Sequence, residues 1–325
     1  MITFGRILFA VKDTDPRRAN SPAKGSSLAK VIALAKASNA TLELFHAVAT
    51  PLFLPDEGTE TSLAAIKRDT LDLHLMRLEK MAVMARKHGV AVDCAVRWDN
   101  PPHEAIVRQA RATGADLIVA DLHAGRGKWL MRLTDWELIR TSEKPVLLLR
   151  DPRPYRRPTV LAAVDPLHAH AKPSGLDDEI LLAARALVTT LRGKLHVVHA
   201  NHPPYLGFVA ESPLALESVL DAGRIEFNKQ TARAGIGRRN AHLVDGDPAR
   251  VIPEVAENVE ARVVVMGAVS RSGLERAFIG NTAERILDKL DCDVLIVKPE
   301  EFRARISSAP REAVVLTPAP VAAAR

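Results

Sequence analysis

The chain has 325 residues, 47% of them hydrophobic and 26% charged, which is too long for one ordinary core and predicts two domains of about 150 residues. Its net charge is +6, but the arginine clusters at 17–18, 153–157 and 238–239 carry few aromatics among them. With aromatics at 4% overall, a nucleic-acid groove is not expected. No apolar run approaches the ~18 residues of a bilayer span.

The first strand is predicted at Ile7 to Val11, close to the start, so the opening reads as fold rather than signal peptide. Cys94 and Cys292 lie far apart and fit reduced thiols, and the expected setting is cytoplasmic. A helix from Ser26 to Ala37 leads to a second strand, Thr41 to Ala47. After the proline-rich stretch 51–55, a long amphipathic helix runs from about Ser62 to His88, with Leu71, Leu75, Leu78 and Ala82 as its inward stripe and Gly89 to stop it. Strands at 91–96, 117–120 and 146–149 alternate with helices at 102–112 and 135–142.

Asp151 to Pro158 holds three prolines in eight residues, so helix and sheet both stop there. Beyond it the order of elements recurs. Phe9 to Asp13 matches Leu161 to Asp165, and Leu42 to Ala47 matches Leu195 to Ala200. Asp99, Pro102, Ile106, Ala115 and Val119 stand 146 positions before Asp245, Pro248, Ile252, Ala261 and Val265. The expected fold class is α/β, two tandem doubly wound parallel-sheet domains of Rossmann-like type. The boundaries are 1–151 for the first domain, 152–158 for the linker, 159–302 for the second domain and 303–325 for a disordered tail poor in helical period.

The candidate site lies in the second copy. An apolar strand, Val263 to Met266, ends at Gly267; a loop with Ser270, Arg271, Ser272 and Gly273 follows; and Gly280-Asn281-Thr282 opens the next helix, before a strand at 294–297. Backbone N–H groups in a glycine-rich turn, together with a helix N-terminus, suit the oxygens of a phosphate. Glycine is needed where φ is positive or where a side chain would strike that phosphate. In a doubly wound sheet the crevice lies beyond the carboxyl ends of the strands, so Val164-Asp165 and the turn Val244 to Asp247 should join this loop in space. The alternative is that the glycines only make the turn and Asn281 or Thr282 only caps the helix.

These residues resemble the universal stress protein family, whose nucleotide-binding members carry Gly-x2-Gly-x9-Gly-(Ser/Thr) after the fourth strand. Gly267 and Gly280 match the outer glycines, Ser270 replaces the middle one, and Asn281-Thr282 replaces Gly-(Ser/Thr). The string Met266 to Glu284 and the string Thr134 to Arg140 are similar to the tandem E-type members, over about residues 5–300. The resemblance implies an adenine nucleotide, ATP or a relative with its accompanying magnesium, with Asp165 at the adenine or ribose edge. It also implies an intramolecular pseudo-dimer through the last strands, a possible homodimer, and a stress-response role with at most slow ATP hydrolysis. The first copy's loop, Asp121 to Trp129, lacks the first glycine and reads as a degenerate scaffold.

No catalytic or metal constellation stands out. His103-Glu104 has no histidine at zincin spacing, His168 and His170 sit in a loop, and no Gly-x-Ser-x-Gly elbow is present. His46 and His199 recur at equivalent places and are expected to be structural. Trp129 and Trp136 are expected in packing. A second reading, a module for an apolar small molecule or a protein partner, draws on the apolar loop Pro203 to Pro213, and a third makes the chain a dimerisation scaffold.

Overall fold

The structure is a computed structural model and describes residues 4–14, 27–49, 60–122, 133–151, 153–167, 175–202, 213–268 and 280–299, with Phe302, Ile306 and Ala309. The strands are β1 (Arg6–Ala10), β2 (Thr41–Val48), β3 (Val92–Trp98), β4 (Leu117–Asp121), β5 (Val146–Leu149), β6 (Thr159–Ala163), β7 (Lys194–Asn201), β8 (Ala241–Asp245), β9 (Ala261–Gly267) and β10 (Asp293–Val297). The helices are α1 (Ser27–Ser38), α2 (Glu60–Lys87), α3 (Pro102–Thr113), α4 (Leu133–Thr141), α5 (Leu176–Leu191), α6 (Pro213–Arg233), α7 (Pro248–Asn258) and α8 (Asn281–Leu287).

All ten strands join one sheet in the order β3-β2-β1-β4-β5-β10-β9-β6-β7-β8. Within each half the strands are parallel, as helix-connected strands must be, and the halves meet where β5 and β10 pair antiparallel. This is the pseudo-dimer through the last strands. Alternate residues of the central strands feed two cores, one on each face: Ile118, Leu148, Val264 and Ile296 on one side, Leu117, Leu147, Val263 and Leu295 on the other. Both cores run unbroken from half to half. Strands buried on two faces have no polar alternation, which is why they read as plain apolar runs.

Two expectations shift. Arg6 pairs with Thr41 and Thr159 with Lys194, so each residue of β1 and β2 corresponds to the one 153 positions later. Lys12, not Asp13, stands where Asp165 does. A short apolar run slides by one residue and still overlays apolar on apolar, which is how the string match misaligned. In α2 the fully buried stripe is Leu78, Met81, Ala82 and Ala85, whereas Leu75 is 38% exposed. Beyond β10, Ile306 packs on the core and its carbonyl accepts from Arg111 Nη1 at 3.3 Å, so the chain is anchored past residue 302. Most of the expected tail lies outside the described residues.

A charged cluster lies under the junction. The Asp293 carboxylate is fully buried; its Oδ1 accepts from the backbone N–H groups of Arg150 (2.8 Å) and Asp151 (3.0 Å), and its Oδ2 from the Tyr155 hydroxyl and the Lys30 ammonium. Lys30 also donates to the Asp151 carbonyl at 2.6 Å and sits 4.4 Å from the Tyr155 ring centroid. Burial pulls the Lys30 ammonium below its ordinary pKa although Asp293 and Asp151 hold it up, and burial with Asp293 drives the Tyr155 phenol well above its own. Lys30 comes from the first half, Asp293 from the second and Tyr155 from the connection between them. Arg150 adds a crossing contact, its Nη1 donating to the Leu287 and Leu290 carbonyls at the end of α8.

Removing one partner of a buried ion pair costs about 3–5 kcal/mol because the other is left uncompensated. Asp293→Ala strands four donors and should lose that much in urea unfolding. Lys30→Met leaves Asp293 three donors and should lose less. An Asp293→Ala midpoint equal to or above that of Lys30→Met would remove the carboxylate from its organising role.

Candidate functional site

A cavity of about 150 Å³ opens at the carboxyl ends of β6 and β9, where the strand order of the second half reverses. Val164, Asp165, Gly267, Gly280, Asn281 and Thr282 all line it. Ser270, Arg271, Ser272 and Gly273 lie outside the described residues, as do Trp129, His168, His170 and most of the loop at 203–213. The volume is below the ~300–1,000 Å³ that encloses a whole small molecule. It fits part of a ligand, with the remainder on the open side.

The elements set these positions. Residue 165 follows directly on β6, and its N–H donates to both carboxylate oxygens of Asp177 (3.1 and 3.2 Å), a buried residue in the first turn of α5. Asp177 thus holds the strand tip in place. His199 Nδ1 lies 3.2 Å from the Val164 carbonyl, and His46 Nδ1 lies 2.7 Å from that of Val11. The repeated histidine therefore ties the second strand's end to the first strand's in both halves. His199 also faces the cavity, with His202 beside it.

The two outer glycines of the motif do not make left-handed turns. Neither has positive φ: Gly280 is extended at φ −63°, ψ 142°. A Cβ on Gly267 would come within 2.6 Å of a Leu176 methyl, so that glycine lets α5 approach the strand. Gly280 is itself the N-cap of α8, with no side-chain cap, so Asn281 and Thr282 occupy the first turn rather than capping it. Of the turn at 244–247, only the neighbouring Pro248 reaches the cavity. Asp245 accepts from Asn201 Nδ2 at 2.9 Å, while Asp247 caps α7 through the Ala249 N–H and takes a bond from Arg285.

The sequence reading missed the aliphatic wall, made by Ile180, Ile252, Met266 and Ile286. Their only signal was membership in amphipathic helices and a strand end, which any core residue shares. A polar set of Asp165, Asn281, Thr282 and His202 over that wall suits a flat, apolar-faced heterocycle with polar edges.

The first half has a matching cavity of about 180 Å³, lined by Val11, Lys12, His46, Thr134 and Asp135 among others. An ion pair at 2.5 Å joins Lys12 Nζ to the buried Asp135 across it. By strand register and cavity lining, the counterparts of Lys12 and Asp135 are Asp165 and Ala283, which cannot form that pair. Above this cavity His46 stacks on His74 of α2 with centroids 4.5 Å apart, and His74 Nδ1 lies 2.7 Å from Thr14 Oγ1. The second half sets Phe227 in that place, 5.9 Å from His199. Trp136 packs against the core. Among the described residues no group of three or more His, Cys, Asp or Glu is placed to hold a metal, and no helix is long and apolar enough to cross a membrane.

Over residues 3–150, and again over 159–298, the chain matches the Universal stress protein family. It belongs to that family as two tandem copies. Universal stress protein E of Escherichia coli K12 is 31% identical over 269 residues, covering 79% of this chain and 82% of that protein. A crystal structure from Pseudomonas aeruginosa UCBPP-PA14 superimposes with a TM-score of 0.68 at 26% identity, over 92% of this chain and 94% of that one. A universal stress protein from Archaeoglobus fulgidus gives a TM-score of 0.61 at 15% identity, covering 91% and 98%, and shares the fold.

Burial, then the neighbouring His46 and Arg77, lower the His74 pKa from 6.5 to about 4. The unfolded chain therefore binds more protons between those values, and His74 contributes stability above pH 6.5 that is lost as pH falls toward 4. His74→Phe, copying the second half, should flatten the fall in urea midpoint over that window. A slope unchanged from the parent would contradict this reading of the stack.

Proposed function

We propose that the second copy binds an adenine nucleotide at Asp165, Asn281 and Thr282, and that the chain is a non-catalytic, ligand-responsive stress protein. The observation that carries this is the contrast between the two crevices. Six of the ten residues picked out by motif line one cavity in the second half, and the position facing Asp165 is the small, uncharged Ala283. In the first half Lys12 and Asp135 span the equivalent space and satisfy each other. ATP or a relative would place its base against the aliphatic wall and a hydroxyl-bearing edge at Asp165. The phosphates would lie toward Asn281, Thr282 and the segment with Ser270, Arg271, Ser272 and Gly273, with any magnesium carried by the nucleotide rather than by a protein metal site.

The aliphatic lining also favours a second reading, in which an apolar small molecule fills the cavity. Mass spectrometry of ligand retained through purification separates the two: a nucleotide mass supports the first, a lipid-like mass the second. For the nucleotide, Asp165→Lys with Ala283→Asp moves the first half's ion pair into the second and should abolish ATP binding by titration calorimetry without loss of fold. Gly280→Trp should do the same by filling the mouth. ATP bound equally well by both variants would refute this placement of the site.

A further inference from the structure

One face of α2 is left apolar. Ile66, Leu73, Met76 and Val83 are 46%, 41%, 49% and 46% exposed. Their spacings of seven, three and seven are the a and d positions of a heptad, and Asp69 and Lys80 occupy the two places between them. The inward residues Leu78, Met81, Ala82 and Ala85 lie on the opposite side, so the outer stripe has no part in the core. Among the described residues neither Asp69 nor Lys80 forms an ion pair, although Glu79 and Arg86 on the flank pair at 2.9 Å.

The stripe is self-complementary. A two-fold axis crossing α2 at the level between His74 and Leu75 sets Ile66 opposite Val83, Leu73 opposite Met76 and Asp69 opposite Lys80 of a second α2 running the other way. Every apolar layer then meets an apolar layer, and each unpaired charge meets its opposite. That mirrored pattern is what an isologous interface needs, since residue i must fit residue j and j must fit i. We propose that α2 pairs antiparallel with the α2 of a second copy of this chain, through these six positions.

The contact runs about 26 Å along the helix at a rise of ~1.5 Å per residue, which is small for a permanent dimer. The dimer is therefore concentration-dependent. It is also independent of the β5–β10 junction, which is already satisfied within the chain.

Analytical ultracentrifugation of the full chain from micromolar to millimolar concentration tests this, with circular dichroism to confirm folding of each exposed-site variant. The parent should move from one chain mass toward two. Asp69→Lys and Lys80→Asp each place like charges in two layers and should weaken dimerisation by about tenfold or more, and the double variant should restore it. Leu73→Asp should abolish it. A parent monomeric through the millimolar range would assign the stripe to some other occupant and overturn the proposal, as would a double variant no tighter than the singles.

Discussion

The architecture depends on the Asp293 carboxylate. Edge strands β5 and β10 offer each other an unpaired ladder and apolar side chains on both faces, but so short an antiparallel contact sets register weakly on its own. A buried anion fixed by two backbone N–H groups, a phenol and an ammonium permits only one arrangement, because any slip would strand a charge without water. The donors come from the first half and the connection, and the acceptor from the second half. Folding of each half is thereby tied to assembly of the whole.

The network is also where the internal symmetry breaks. Register places Arg150 and Lys298 at equivalent ends of β5 and β10. Arg150 reaches across to the carbonyls ending α8, whereas Lys298 lies buried over the Phe302 ring, its pKa lowered to about 8 by that burial. Duplication supplied two identical edges; the present chain keeps the shared hydrogen-bond ladder but anchors it with charges on one side only. The crevices diverge in the same manner, through Lys12 and Asp135 on one side and Asp165 and Ala283 on the other.

Much of this was legible in the residues. Apolar runs bounded by glycine and proline located the strands, and repeated strings at fixed spacing exposed the duplication. The spacing of Gly267 and Gly280 picked out a crevice whose lining they share with Val164 and Asp165. What stayed hidden depends on contacts distant in sequence. Nothing around Asp177 announces that it braces the tip of β6, nothing around Lys30 announces a partner at Asp293, and nothing around Gly267 announces that Leu176, on another element, comes close enough to exclude a Cβ. The one-residue misalignment of β1 had the same root, since an apolar strand carries no mark of phase until its partner supplies one.

Because β5 and β10 run in opposite directions, the carboxyl ends of the two halves face opposite rims of a single ten-stranded sheet. The described lining of each crevice comes from its own half alone. Each rim is consequently free to change its chemistry without disturbing the other: one carries a salt link between its lining residues, and the opposite one sets Asp165 and Ala283 in those places.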